Sequence, residues 1–598
     1  MSKELPPSDH AGAPAGRRPA WPLLGLALVC SGAGQALISP PLNWWWLLPV
    51  LWLPGLWALS HARGPRALLF GWCLGTSALL AIFYWIVHTV QTFSNLPLPV
   101  AVVVLVGFSL FWGFYAAVFA WGLVAVRRAC RGYWPLGVAA WFVACEYLNP
   151  QLFPFYQGVV LYQQPWIFLA TALAGVPFLS FLVMLCNALL LQILERRRAG
   201  LPLRAVPVGV NSAVLVSLVL VAVLYSGFRL RVIDAAEEEA ETARIAMVQT
   251  NRGVEALRVL RKKGPQAQVE DFARLSAQTL ARDPDIDVLV WPEGALRGSA
   301  RHPTSRSARR LVRDHGVELW TGGGAWKKAE GDRRVFFNSG FRLSRSTEEG
   351  SRRVETGPRY DKNILLPFGE FMPLEDLLPI LKKIQGVGNY EPGEGLVDYE
   401  TPHGHFVFLI CYEAIRHRYV RGGIQAGADL LVNITYDAWF GDTSNPTQHL
   451  MLSAAQSAQY GVPLVRAATT GISAYVDARG VLVDTSPLFK RTVLVSEVKR
   501  VQVPSPYAAL GDWFAWICVL SSALIVLWGK RSEPRWRRTD FLCWGVIATA
   551  TLFIPKLAWL ANPYILLGDW LAWGSAAALV LVVGLLQFRR RVGGGVES

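Results

Sequence analysis

Cysteine is nearly absent from the polar part of this chain. Of eight cysteines, Cys30, Cys73, Cys145, Cys186, Cys518 and Cys543 fall inside long apolar runs, and Cys130 sits beside Arg127, Arg128 and Arg131 at the edge of another. Cys411 alone belongs to the water-soluble stretch, which excludes an internal disulfide there. Two readings remain for it: a small buried core residue, or a nucleophile that needs a base and an electrophile brought close by the fold. A basic stripe with interleaved aromatics is also missing, so the net charge of +15 does not point to nucleic acid. Many of the Lys and Arg residues stand instead at the ends of apolar runs, as the positive-inside rule describes. Metal-ligand spacing is absent as well. The nine histidines are scattered, and His403 and His405 lack nearby cysteine or acid partners in a finger-like pattern. Residues 1–20, rich in Pro, Gly, Ala and charge, read as a disordered cytoplasmic tail rather than a cleaved signal, because more apolar runs follow and no convincing cleavage site does.

Apolar residues, by contrast, make up 53% of the 598, with 25 Trp, and the mean hydropathy is positive. One soluble globule is excluded, and the question becomes whether the apolar runs reach the roughly 18 to 20 residues that cross about 30 Å of hydrocarbon. Runs at 21–38, 43–60, 67–88, 98–126, 133–149, 165–194 and 206–228 give seven candidate spans in a transmembrane region 21–228. The fifth carries Glu146, either a functional intramembrane acid or a helix-end carboxylate at the interface. Loops after even-numbered spans carry Arg63 and Arg66, then Arg127, Arg128 and Arg131, then Arg196, Arg197, Arg198 and Arg204; loops near 39–42, 89–97 and 150–164 carry no Lys or Arg. That asymmetry places the amino terminus in the cytoplasm and the segment after span seven outside it.

Residues 229–505 then alternate strand-like stretches (243–249, 285–291, 317–321, 334–343, 405–411, 429–435, 463–477) with helical ones (265–282, 304–314, 447–460). Alternation of this kind predicts one α/β domain with a largely central sheet. A further span follows at 506–528, then an additional hairpin at 539–588 and a cytoplasmic tail at 589–598. Basic clusters at Lys530–Arg538 and Arg589–Arg591 fit ten spans with both termini inside. The expected fold class is therefore a polytopic α-helical membrane protein with an inserted extracytoplasmic α/β domain.

Three strand ends in that domain terminate in reactive residues. Trp-Pro-Glu presents Glu293, Tyr-Asp-Lys-Asn-Ile-Leu-Leu-Pro-Phe-Gly-Glu presents Lys362 and Glu370, and Ile-Cys-Tyr-Glu presents Cys411, Tyr412 and Glu413. These segments, in this order, resemble the Glu-Lys-Cys segments of the nitrilase (carbon-nitrogen hydrolase) superfamily. Leu-Pro-Phe-Gly-Glu-Phe-Met-Pro at 366–373, Asn-Ile-Thr-Tyr-Asp-Ala-Trp-Phe-Gly-Asp at 433–442 and Gln-His-Leu at 448–450 resemble its membrane branch, the apolipoprotein N-acyltransferases.

The resemblance implies a nitrilase-like α-β-β-α sandwich, with Glu293 as general base, Cys411 as nucleophile and Lys362 as the cation beside the developing oxyanion. Glu370, Tyr412 and Glu413 become supporting residues, the two acids orienting Lys362 and handling protons; for each charged residue the alternative is a surface salt bridge. The chemistry needs these types, because a thiol near neutral pH is mostly protonated and a buried ammonium stabilises charge on an attacked carbonyl. Trp439 and Phe440 are apolar enough to meet acyl chains or the membrane, or to serve the core. His449 is expected on a helix beginning near Pro446 rather than as a base. Two features depart from the branch: no tryptophan follows closely after Met247–Gly253, and the hairpin 539–588 is additional.

By the resemblance, a fatty acyl chain passes from a phospholipid through a Cys411 thioester to the α-amine of a diacylglyceryl-cysteine apolipoprotein, with no metal, nucleotide or other cofactor. The implied location is the bacterial inner (cytoplasmic) membrane, catalytic domain on the periplasmic side. Rival readings are a membrane-tethered amidase acting on a small amide, and a non-catalytic membrane scaffold.

Overall fold

The computed structural model describes residues 19–529, apart from Asn95, seven positions between 255 and 265, and 329–332, 349–350 and 374–387. The expected hairpin 539–588, the tail 589–598 and all but the last two residues of the tail 1–20 lie outside the described residues.

Among the described residues, five helical stretches are long and apolar enough to cross a membrane: Trp21–Ile38, Pro65–Ile82, Leu98–Leu148, Val176–Arg198 and Val206–Glu238. They contain helices α1 (Trp21–Ala33), α2 (Pro65–Ile82), α4 (Leu98–Cys130), α5 (Trp134–Leu148), α6 (Val176–Arg198) and α7 (Val206–Glu238), with the short α3 (Ile86–Ser94) between α2 and α4. Each of the six longer helices has proline in its first turn, where the missing N–H breaks no helical bond and the fixed φ favours initiation. The same residue divides the run 43–60. Pro49 separates a 3-10 turn at Trp45–Leu47 from a helix at Leu53–Ser60, so this stretch is not one continuous helix. Helices α2 and α4 lie close: a Cβ at Gly75 would stand 2.3 Å from the Gly113 carbonyl oxygen, the small-residue contact by which helices associate in lipid.

The inserted domain holds two sheets rather than one central sheet. In the first, β13 (Thr492–Lys499), β1 (Thr242–Gln249), β2 (Val288–Trp291), β3 (Glu318–Lys328), β4 (Arg334–Arg345) and β5 (Val354–Thr356) lie in that order, with β6 (Tyr360–Asp361) also paired to β4. In the second, the order is β12 (Leu482–Thr485), β11 (Ala474–Val476), β10 (Leu464–Ala468), β9 (Leu430–Thr435), β8 (Gly404–Ile410) and β7 (Asp398–Thr401). Both centres are parallel, β1–β2–β3 and β8–β9–β10, and both edges antiparallel. The stretch 463–477, expected as one strand, folds back at Thr469–Ser473 into β10 and β11.

The division follows from burial on both faces. Ile245, Met247, Val290 and Trp320 of the first sheet meet Phe406, Phe408, Ile410 and Val432 of the second in one apolar layer, Trp320 and Phe406 packing at 4.0 Å. Opposite faces need separate cover. Helices α8 (Gln266–Leu280) and α9 (Arg306–His315) pack on the first sheet through Phe272 and Leu311. Helices α10 (His417–Gln425) and α11 (Asn445–Tyr460) cover the second, and their cluster continues without a break into Phe168, Leu179 and other residues of the helical half. The result is an α-β-β-α sandwich joined to the membrane helices through its second sheet. Strands with both faces covered read as continuous apolar runs, which is why β8 and β9 were visible in the sequence.

Candidate active site

Parallel strands collect functional residues beyond their carboxyl ends, and both sheets do so here. Pro292 stops β2 and Glu293 follows. The neighbouring β3 makes room with Gly322, where a Cβ would lie 2.6 Å from the Glu293 Cα. Lys362 follows β6 and is tied to β4 by its backbone N–H, which donates to the Asn338 carbonyl at 2.8 Å. Cys411 is the first residue after β8, at φ 51°, a left-handed conformation uncommon outside glycine that marks a functional turn.

Two carboxylates share one amide and one ammonium. Asn338 Nδ2 donates to Glu293 Oε1 at 2.6 Å and to Glu370 Oε1 at 2.8 Å. Lys362 Nζ lies 2.6 Å from Glu370 Oε2 and 3.9 Å from Glu293 Oε1. Glu293 Oε2 accepts from the Tyr436 backbone N–H at 2.9 Å, and Glu370 Oε2 from that of Leu366 at 2.8 Å. Lys362 is 1% exposed, so its charge is sustained by these partners. Burial opposes the ammonium, yet Glu370 and Glu293 outweigh it and hold the lysine pKa above its ordinary value. Burial pushes Glu293 up, against the pull of Lys362 and with Glu370 adding to the rise. Burial also pushes the Cys411 thiol well up; Glu293 adds to this and Lys362 opposes it. At rest the site therefore holds a neutral thiol in the fields of an acid and a cation, and needs a base when the sulfur attacks.

Glu413 plays a different part from Glu370. Its Oε2 accepts from Tyr360 Oη at 2.7 Å and the Ile410 N–H at 2.8 Å, and its Oε1 from the N–H groups of Asn363 at 2.7 Å and Ile364 at 3.1 Å. This fully buried carboxylate fastens the lysine segment to the cysteine turn, acting on Lys362 through the backbone of the next two residues. Tyr412 points the other way, its hydroxyl donating to the Leu152 carbonyl in the helical half.

Residues unassigned in the sequence complete the surroundings. Asn338 carries no local signature, since its role arises only where β4 meets β6. Behind Cys411 lies a buried cluster: Arg466 Nη2 donates to Asp437 Oδ2 at 2.7 Å and faces His449 Nδ1 at 3.1 Å, and His449 Nε2 lies 3.2 Å from the Cys411 carbonyl oxygen. Because Nδ1 faces a donor, the proton belongs on Nε2, which donates to Cys411. Asp437 Oδ1, 3.2 Å from Nδ1, takes its hydrogen bond from Thr435 Oγ1 at 2.9 Å. Burial, then Arg466, disfavours the imidazolium and lowers the His449 pKa. His449 is on α11 as expected, its ring nitrogens engaged by the Cys411 carbonyl and by Arg466. Arg466 was missed, although a charge inside the apolar run Leu-Val-Arg-Ala-Ala of β10 was a signal that could have singled it out. His405, which has no finger-like ligand pattern around it in the sequence, meets Asp398 and Glu400 in the fold, because the β7–β8 pairing sets Glu400 opposite it.

Cys411 opens into a small apolar cavity whose walls come from both halves of the chain: Phe83, Trp85, Phe153 and Phe155 from the helical half, and Leu366 and Phe440 from the domain. Phe440 packs on Trp85 at 5.4 Å, while Trp439 packs on Phe93 at 4.7 Å and Tyr436 at 5.3 Å. Of the two loop aromatics, Phe440 faces the thiol's cavity and Trp439 joins the loop to α3.

Comparison with known proteins finds the same two parts. The family profile described as apolipoprotein N-acyltransferase N-terminal domain matches residues 31–189, and that described as carbon-nitrogen hydrolase matches residues 244–505. The apolipoprotein N-acyltransferase of Geobacter metallireducens is 33% identical over 518 residues, covering 84% of this chain and 94% of that protein. Those of Azotobacter vinelandii and Haemophilus ducreyi are 29% and 26% identical, covering 86% and 82% of this chain and 97% and 94% of theirs.

Proposed function

The chain belongs to the apolipoprotein N-acyltransferase family and is a membrane N-acyltransferase of lipoproteins; on that premise we propose that a phospholipid is its acyl donor and that Glu293, Lys362 and Cys411 carry the reaction. Glu293 takes the thiol proton as Cys411 Sγ attacks an ester carbonyl of the phospholipid. Lys362 stabilises the oxyanion, aided by the backbone N–H that follows Cys411. The ester C–O bond breaks, the proton returns to the leaving alcohol, and a lysophospholipid departs. In the second step the α-amine of a diacylated amino-terminal cysteine attacks the thioester. The C–N bond forms, C–S breaks, and the amine proton passes through Glu293 to Sγ.

The observation that carries this reading is the apolar cavity shared between Cys411 and the helical half. Acyl chains need such walls, whereas a small amide would have no use for them, so the amidase and scaffold readings are not favoured. In the same reading residues 229–505 form the catalytic domain, on the periplasmic side of a bacterial inner membrane. A reporter active only outside the cytoplasm, fused near residue 350, is expected to be active, and one fused after Arg538 inactive; the reverse would turn the domain inward. Purified protein given phospholipid and a synthetic diacylated lipopeptide with a free amine should add one fatty acyl group to the peptide, and none to an amino-acetylated copy. Hydrolysis of small amides with no lipopeptide acylation would contradict the proposal.

A further inference from the structure

The wall of the Cys411 cavity contains one acceptor with nothing to accept. Asn445, at the start of α11, is 3% exposed, and its Oδ1 is buried with no hydrogen-bond partner among the described residues. Its polar neighbours in the wall are committed. Gln448 Oε1 accepts from Trp85 Nε1 at 3.0 Å, while its Nε2 donates to the Ile82 carbonyl at 3.1 Å and Ser39 Oγ at 3.2 Å. His449 uses both ring nitrogens, and Tyr412 donates to Leu152. A buried amide oxygen left without a donor is costly, and in a residue that lines a substrate cavity it offers an acceptor to a group that the substrate supplies.

The chemistry of the two substrates decides which. Near the scissile bond a phospholipid brings ester and phosphate oxygens, which are acceptors and offer Asn445 Oδ1 nothing. The free α-amine of the second substrate brings N–H donors. Building on the acyl-transfer reading, we propose that Asn445 Oδ1 accepts a hydrogen bond from the acceptor's α-amine and orients its lone pair toward the Cys411 thioester. An amide oxygen suits this task, since it takes one N–H without protonating the nucleophile, and the attacking nitrogen's proton remains free to leave through Glu293 as C–N forms and C–S breaks. The first turn of a helix, followed by Pro446, holds the side chain in one place. Asn445 would then be a specificity residue for the second half-reaction alone.

Single-turnover measurements on full-length protein separate the half-reactions. Asn445→Leu, nearly isosteric and without an acceptor, is expected to form acyl-Cys411 from phospholipid at the wild-type rate and to keep the wild-type unfolding temperature. Discharge of the preformed acyl-enzyme to the diacylated lipopeptide should slow by about ten- to a hundredfold. Asn445→Gln, which keeps a neutral amide acceptor, should restore part of the discharge rate. Wild-type discharge by Asn445→Leu, equal slowing of both steps, or discharge by Asn445→Gln no faster than by Asn445→Leu would overturn the proposal. Wild-type protein that never forms acyl-Cys411 would instead overturn the acyl-transfer reading on which it rests.

Discussion

Glu293 and Lys362 follow strands of the first sheet, whose outer face is covered by the domain's own helices α8 and α9. Cys411 ends a strand of the second sheet, whose outer face runs on into the membrane helices. The contrast extends to their surroundings. On the first side the carboxylates, the ammonium and Asn338 satisfy one another within hydrogen-bond distance and hold charge in a dry place. On the second, the thiol faces an aromatic cavity shared with the helical half, and His449 braces its turn from behind. In the proposed mechanism, proton handling and lipid contact thus fall to different sheets and meet where the strand ends converge. Glu413 and Tyr412, adjacent in sequence, show the division at its narrowest: one binds the lysine segment and the other the helical half.

Substitutions on the two sides should therefore fail in different ways. The largest effect belongs to the second side. Cys411→Ser and Cys411→Ala should abolish transfer and acyl-enzyme formation in protein that remains folded and inserted, since a serine hydroxyl has a far higher pKa and His449 is not available as a base. Turnover by either variant, followed with the lipopeptide assay, would remove Cys411 from the mechanism.

Next comes the first side. Lys362→Ala should slow acylation of Cys411 by about a hundred- to a thousandfold, as loss of an oxyanion donor does. It should also move the pH profile. Lys362 lowers the Glu293 pKa, so its removal leaves that pKa higher still, and the acid-side fall in rate should shift to higher pH. An unshifted profile would show that Lys362 and Glu293 do not titrate together.

His449 gives a smaller effect that distinguishes bracing from base catalysis. His449→Leu should slow both half-reactions by about three- to tenfold, the worth of one hydrogen bond to the turn. His449→Gln, which can still donate to the Cys411 carbonyl, should recover most of that, with the pH profile unchanged. A titration lost from the profile in His449→Gln would make the imidazole an acid-base participant.

The legible parts of this molecule were those with local signatures. Strands β8 and β9, buried on both faces, stood out as apolar runs, and the residues at their ends stood out because charge or thiol follows an apolar strand abruptly. The two-sheet arrangement was not derivable from alternation alone, since one sheet and two have the same order of helices and strands along the chain. Asn338 was missed because a single asparagine in a strand acquires its function only from residues 45 positions earlier and 32 later. The break at 43–60 was marked by Pro49, whose effect on helix continuity outweighs apolar composition. Contacts between halves, such as Tyr412 with Leu152 across 260 residues, depend on the docking of domain onto helices and leave no pattern in either segment.

In the proposed mechanism the two sheets meet in covalent catalysis at Cys411. Incubation of the full-length protein with phospholipid alone, followed by mass measurement of the peptide containing Cys411, addresses it directly. One fatty acyl group should appear on that peptide, be released by a diacylated lipopeptide with a free amine, and be absent from Glu293→Gln. An unmodified Cys411 peptide in protein that nevertheless acylates the lipopeptide would contradict the account, because acyl transfer would then proceed without the thioester.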